Sequence, residues 1–115
     1  MSEKRITKAL KTFGFSTINI RVYIFLAKTG SCRTQKIEKD LKLEKGVLDK
    51  SLKDLSNLGI IQFSIKDPTQ FTAMPFEDVI DLFIEVKKEQ AKTMQESREE
   101  LISNWKTILK KNSAK

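Results

Sequence analysis

At 115 residues with 39% hydrophobic residues, the chain suffices for one small core and at most an appendage, and no apolar run reaches the ~18 residues of a membrane span. The absence of histidine and the single Cys32 exclude an intramolecular disulfide and the usual zinc ligand set, and remove the commonest general base. The net charge of +7 lies entirely in residues 1–67, with 14 Lys and Arg against 7 Asp and Glu, while residues 68–115 carry 8 of each, the asymmetry of a chain whose first part meets phosphates.

Residues 3–13 predict a short amphipathic helix with Ile6, Leu10 and Phe13 on one stripe, broken by Gly14. Ser16 then caps a helix over Thr17–Lys28, with Phe15 and Ile20 placed as a hydrophobic staple. Ile18, Ile20, Val22, Tyr23, Ile24, Phe25 and Leu26 make this helix apolar nearly all round, so it is expected to form the buried centre, with the Tyr23 hydroxyl tethered. Gly30 ends it. Cys32, in the connection that follows, reads as a small semi-buried residue.

Arg33 to Gly59 reads as two helices, Thr34–Leu41 and Lys45–Leu58, joined by Lys42-Leu43-Glu44. Ile37 and Leu41 mark the inner face of the first, and Leu48, Leu52 and Leu55 that of the second, with Leu43 plugging the turn. The opposite face of the second helix presents Lys45, Gly46, Val47, Asp49, Lys50 and Lys53. A narrow apolar stripe that fixes the angle, under a lysine-rich outer face, is what a helix-turn-helix reader of DNA needs. An ordinary helical hairpin with a solvated lysine face has the same pattern, and any single lysine is more often a solvated charge than a DNA contact.

After Gly59 the period changes from helical to alternating. Ile61, Phe63 and Ile65 alternate with polar residues as in a half-buried strand, Asp67-Pro68-Thr69 supplies a turn, and Gln70–Met74 returns as a second strand. A hairpin directly behind a helix-turn-helix is a wing. Phe63 and Phe71 are expected to pack in wing and core rather than stack on bases.

From Phe76 to about Asn112 one long helix is predicted, free of Gly and Pro. Val79, Leu82, Phe83 and Val86 give its first turns a broad apolar face. A second series at 4,3 spacing runs Ile80, Ile84, Lys87, Ala91, Met94, Arg98, Leu101, Trp105, Ile108, Asn112, a heptad seam. Burying Met94, Leu101, Trp105 and Ile108 is worth on the order of 6–10 kcal/mol, and dimerisation is the simplest sink for that surface. Folding back on the chain's own domain is the competing arrangement.

Leu10-Lys11-Thr12-Phe13-Gly14-Phe15-Ser16, Arg21-Val22-Tyr23, Lys28-Thr29-Gly30, Leu58-Gly59-Ile60-Ile61 and Phe71-Thr72-Ala73-Met74-Pro75 resemble the N-terminal DNA-binding domain of the TrmB-like family of archaeal transcriptional regulators. The likeness covers about residues 6–80, and its aromatic-x-Ala-x-Pro wing ending is characteristic of the family. It implies a winged helix that binds DNA. Family members commonly continue into a sugar-binding effector domain, whereas this sequence stops after the long helix, so no small-molecule effector is evident. Where the family's reading helix opens with a Pro/Ser-Arg-Ser-type sequence, this chain has Glu44-Lys45-Gly46, which implies weaker base readout.

The expected fold is thus mainly α, an α+β winged helix-turn-helix over residues 1–75 with a long C-terminal coiled-coil dimerisation helix over 76–115. The expected function is that of a dimeric, cytoplasmic, DNA-binding transcriptional regulator, not an enzyme, with no cofactor, metal or membrane partner. Lys45, Gly46, Val47, Asp49, Lys50 and Lys53 would face the major groove, where Lys45 and Lys50 suit phosphates or guanine edges and Val47 a thymine methyl. Arg33, Lys36 and Lys53 would reach flanking phosphates, and Lys66 the next groove. Ile84, Ala91, Met94, Leu101, Trp105 and Ile108 would carry dimerisation, setting half-sites about one turn, ~34–36 Å, apart. The alternatives are an architectural protein that coats DNA with weak preference and a winged helix used for protein contact.

Overall fold

A computed structural model of the chain describes residues 2–65 and 69–113. In chain order it contains α1 (Ser2–Thr12), α2 (Thr17–Thr29), α3 (Thr34–Leu41), α4 (Lys45–Asn57), β1 (Ile61–Phe63), β2 (Phe71–Ala73) and α5 (Phe76–Ser113). This is the winged-helix order expected from the sequence. The chain divides into two compact units, residues 1–79 and 80–115.

The first unit is built around α2. Ser16 caps it as the sequence predicts, its side-chain oxygen accepting from the Asn19 amide at 3.1 Å. At the far end Gly30 adopts φ 88°, open to glycine at no steric cost, and its N–H reaches the Leu26 carbonyl. Ile20, Val22, Tyr23 and Leu26 are buried, with Leu10 of α1, Ile37 of α3, Leu48, Leu52 and Leu55 of α4, and Ile60, Ile61 and Val79 completing the core. Burial around α2 is narrower than its composition suggests. Ile18, Ile24 and Phe25 are only half-buried, and Ile24 and Phe25 line an open groove with Thr7 and Lys11 of α1 and Leu41 of α3. A thirteen-residue helix touched by α1, α3, α4 and β2 still leaves part of its circumference to water.

Tyr23 is tethered as expected, its hydroxyl donating to the Met74 carbonyl at 2.6 Å and its ring meeting Phe15 edge-on at 6.4 Å. Burial, and then the nearby charges of Glu77 and Asp78, push the Tyr23 hydroxyl up to about 12.

β1 and β2 pair antiparallel with Ile61 opposite Ala73, Gln62 opposite Thr72 and Phe63 opposite Phe71. The ribbon is shorter than the sequence pattern suggested, and its alternation does not track burial. Ile61 is buried, but Phe63 is 54% and Ile65 90% exposed. Period-two patterning reports a buried face only where a core backs the ribbon, and the inward face runs out of core after Ile61. Phe63 meets Phe71 across the ribbon at 6.0 Å, wing packing without core packing. The turn residues Asp67 and Pro68, with Lys66, lie outside the described residues.

In the second unit α5 continues as one uninterrupted helix to Ser113. Ile84, Met94, Leu101, Trp105, Ile108 and Leu109 are all exposed. Among the described residues no helix is long and apolar enough to cross a membrane.

Candidate nucleic-acid interface

The turn between α3 and α4 is made without glycine. Lys42 takes a left-handed conformation, φ 54° and ψ 49°, and its N–H and that of Leu43 return to the Glu38 carbonyl. Leu43 is half-buried beneath the turn. α4 then starts at Glu44, whose extended backbone positions it as N-cap but whose side chain makes no capping hydrogen bond. The amides of Lys45, Gly46 and Val47 precede the first internal acceptor pair, Leu48 N–H to the Glu44 carbonyl, so these donors are open to an anion.

The inner face of α4 is fixed by apolar packing and by one polar tie. Leu48, Leu52 and Leu55 are buried, and so is Ser51, whose hydroxyl donates to Asn19 Oδ1 at 2.6 Å. Asn19 is the same residue whose amide meets the Ser16 cap, so a short chain of hydrogen bonds joins the start of α2 to the middle of α4. A second tie clamps α3, with Arg21 Nη2 donating to the Leu41 carbonyl at 2.8 Å. These residues set the angle at which α4 is presented. Sequence reasoning missed Ser51 and Asn19, although Ser51 sits on the Leu48–Leu52–Leu55 stripe, and a hydroxyl on an apolar stripe is a signal of a buried partner.

Opposite that stripe, Gly46, Lys50, Lys53 and Asn57 stand at i, i+4, i+7 and i+11, and all are exposed. Asn57 was not anticipated. At ~100° per residue, Lys45 lies about 140° around the helix from Lys50, so it flanks the open helix start rather than extending the Lys50–Lys53 ridge. Val47 and Asp49 border the ridge on either side, exposed. Among the described residues, Lys45, Lys50 and Lys53 are in no ion pair, whereas Lys36 holds Asp40 at 3.2 Å. Arg33 and Lys36 form a separate cluster, sharing a shallow polar depression with Ser31, Gln35 and Gln70.

The wing is bound to this framework through the segment before α3. Cys32 and Phe71 exchange backbone hydrogen bonds of 3.1 and 2.8 Å, and the Ser31 and Thr72 hydroxyls meet at 2.6 Å. Cys32 is therefore buried, more so than its sequence context suggested, with its thiol donating to the Gly30 carbonyl at 3.1 Å. Burial pushes the thiol up from its ordinary value, against a smaller opposing effect of Lys36. Between the wing and the end of α4 lies an apolar cleft lined by Leu52, Lys53, Ser56, Asn57, Phe63 and Ile65, among others. No group of three or more His, Cys, Asp or Glu is placed to hold a metal ion among the described residues.

A family model described as "Sugar-specific transcriptional regulator TrmB" matches residues 10–77, which hold all of α2 to β2. Among solved structures, one described as a possible transcriptional regulator from Methanosarcina mazei Go1 is similar, with 14% sequence identity and a TM-score of 0.66, covering 83% of this chain and 87% of that one. That likeness extends the agreement in fold to most of the chain. No curated protein matches the sequence.

Proposed function

The chain belongs to the TrmB family of transcriptional regulators, and from that premise we propose that it binds double-stranded DNA as a homodimer, with α4 in the major groove and the wing on the backbone or adjacent groove. The observation that carries this reading is the contrast between the two faces of α4. Its inner face is locked by three leucines and the Ser51–Asn19 bond, while its outer ridge offers Lys50 and Lys53 unpaired to solvent. A rigid helix with free cations on its open side is pre-organised for a groove lined by phosphates.

In this arrangement Lys50 and Lys53 meet phosphates or guanine edges, and Val47 lies against a thymine methyl, with Asp49 at the border. Lys45 and the free amides of the first turn of α4 hold one phosphate, and Gly46 allows the backbone close to it. Arg33, Lys36 and Lys53 reach flanking phosphates, and Lys66 the next groove. Ile84, Ala91, Met94, Leu101, Trp105 and Ile108, exposed in the single chain, form the dimer contact.

A second reading, an architectural protein with weak sequence preference, is favoured by Gly46. It occupies the ridge without a side chain, yet a Cβ there would meet nothing within 4 Å, so packing does not require glycine. Binding to the protein's own upstream region and to random duplex of equal length, across a salt series, separates the two. A regulator gives an affinity gap of ~10³ or more and a pseudo-palindromic footprint. Near-equal affinities that fall together with salt select the architectural reading. No binding at low salt overturns both and leaves protein contact.

A further inference from the structure

We propose that α5 pairs antiparallel with a second copy of the chain, in the register that sets Arg98 of one copy against Leu101 of the other; this rests on the dimeric reading above and specifies its geometry. The seam residues from Ile84 to Ile108 alternate between two positions of a heptad and are exposed along the helix. In a parallel pair in register each residue meets its own counterpart. Lys87 would face Lys87 and Arg98, which pairs with Glu99 of its own helix at 2.6 Å, would face Arg98, and the flanking positions between 88 and 111 carry no acidic residue to answer either across the seam. Ala91 against Ala91 would add a void where the seam needs volume.

The antiparallel register removes the contacts of Arg98 with Arg98 and of Ala91 with Ala91. Arg98 lies against Leu101, where its long stem packs and its head group reaches water. Ala91 lies against Ile108, and Met94 against Trp105, so small opposes large and a flexible side chain meets the largest ring. Lys87 falls toward the end of the other helix, beside Lys111, where the pair is open to water. Charge points the same way. Residues 101–111 contain Lys106, Lys110 and Lys111 with no acid, while residues 80–100 contain six acidic and four basic residues. A parallel pair stacks the two lysine-rich ends on each other, and the antiparallel pair lays each beside residues 88–98 of the other copy, where Glu89 and Glu96 offset part of the charge of Lys88, Lys92 and Arg98.

At 1.5 Å per residue, the two Ile80 residues where the seams begin stand about 58 Å apart along the pair, against close proximity in a parallel pair.

Asp81, exposed near the start of the seam, reports the orientation. Asp81→Cys in a Cys32→Ala background, spin-labelled, is expected to give a label separation of about 55 Å. A separation under ~20 Å in a sample that sediments as a dimer overturns the antiparallel assignment and leaves the dimer standing. A sample that sediments as a monomer removes the dimer itself. The register is read by disulfide capture. Ala91→Cys and Ile108→Cys, each alone, are expected not to cross-link, and their mixture is expected to do so. Self-linking of either variant, or a dimer giving no link in the mixture, overturns the register. Cys32→Ser serves as second background, with circular dichroism confirming the fold of each.

Discussion

Residues 1–79 bury Leu10, Tyr23, Leu26, Ile37, Leu48 and Leu55 in one core, whereas beyond Val86 the seam residues of α5 remain open to water. The first unit also closes its polar groups. Ser51 reaches Asn19, Arg21 reaches the Leu41 carbonyl and Tyr23 reaches the Met74 carbonyl, and among the described residues no buried side-chain nitrogen or oxygen lacks a partner. The seam of α5 offers no such closure within one chain. A unit that satisfies itself can present a rigid surface to a ligand, and an amphipathic helix that does not is a surface for another helix.

The contrast breaks most completely if the seam is charged. Leu101→Asp with Ile108→Asp is expected to convert the proposed dimer to monomers in sedimentation while leaving the thermal transition of the first unit in place. A double variant that stays dimeric contradicts the seam.

A smaller effect comes from the polar closure of the first unit. Tyr23→Phe removes the bond to the Met74 carbonyl and is expected to cost about 1–2 kcal/mol in denaturant unfolding. The same variant carries a pH signature. Because folding raises the Tyr23 hydroxyl from 10.0 to about 12, its contribution is whole below pH 10 and is lost as pH rises from 10 toward 12. The wild type should therefore lose more stability over that window than Tyr23→Phe, and equal losses would contradict the buried tether.

The smallest effect tests the ridge without touching the core. Gly46→Ala meets no steric obstacle and is expected to stabilise the first unit by about 0.5–1 kcal/mol through helix propensity. If close backbone approach to a phosphate matters, DNA affinity falls while stability rises. Affinity that rises with stability would show that Gly46 has no such role.

The helix boundaries of the first unit were legible because they depend on local chemistry. Ser16, Gly30 and the period of Ile37, Leu48, Leu52 and Leu55 place α2, α3 and α4 to within a residue. The long α5 was legible from the absence of breakers and the heptad spacing. What could not be read is what depends on distant partners. The exposure of Phe63 and Ile65 follows from where the core ends, and the bridge from Cys32 to Phe71 joins segments almost forty residues apart, a pairing that no local pattern encodes. The Ser51–Asn19 bond is an intermediate case, since the stripe marks Ser51 but not its acceptor. The sequence reading sets Lys45 on one outer face with Lys50 and Lys53, and helix geometry takes it off that ridge.

The central claim, that the outer ridge of α4 is the DNA-binding surface, is tested most directly by Lys50→Ala with Lys53→Ala. Duplex affinity of this variant and of the wild type would be measured across a salt series, with unfolding curves taken in parallel. The account predicts unchanged stability, weaker binding at low salt, and a slope of log affinity against log salt reduced by about 2, one for each lost phosphate contact. Wild-type affinity and slope in the double variant would contradict it and move the interface away from α4.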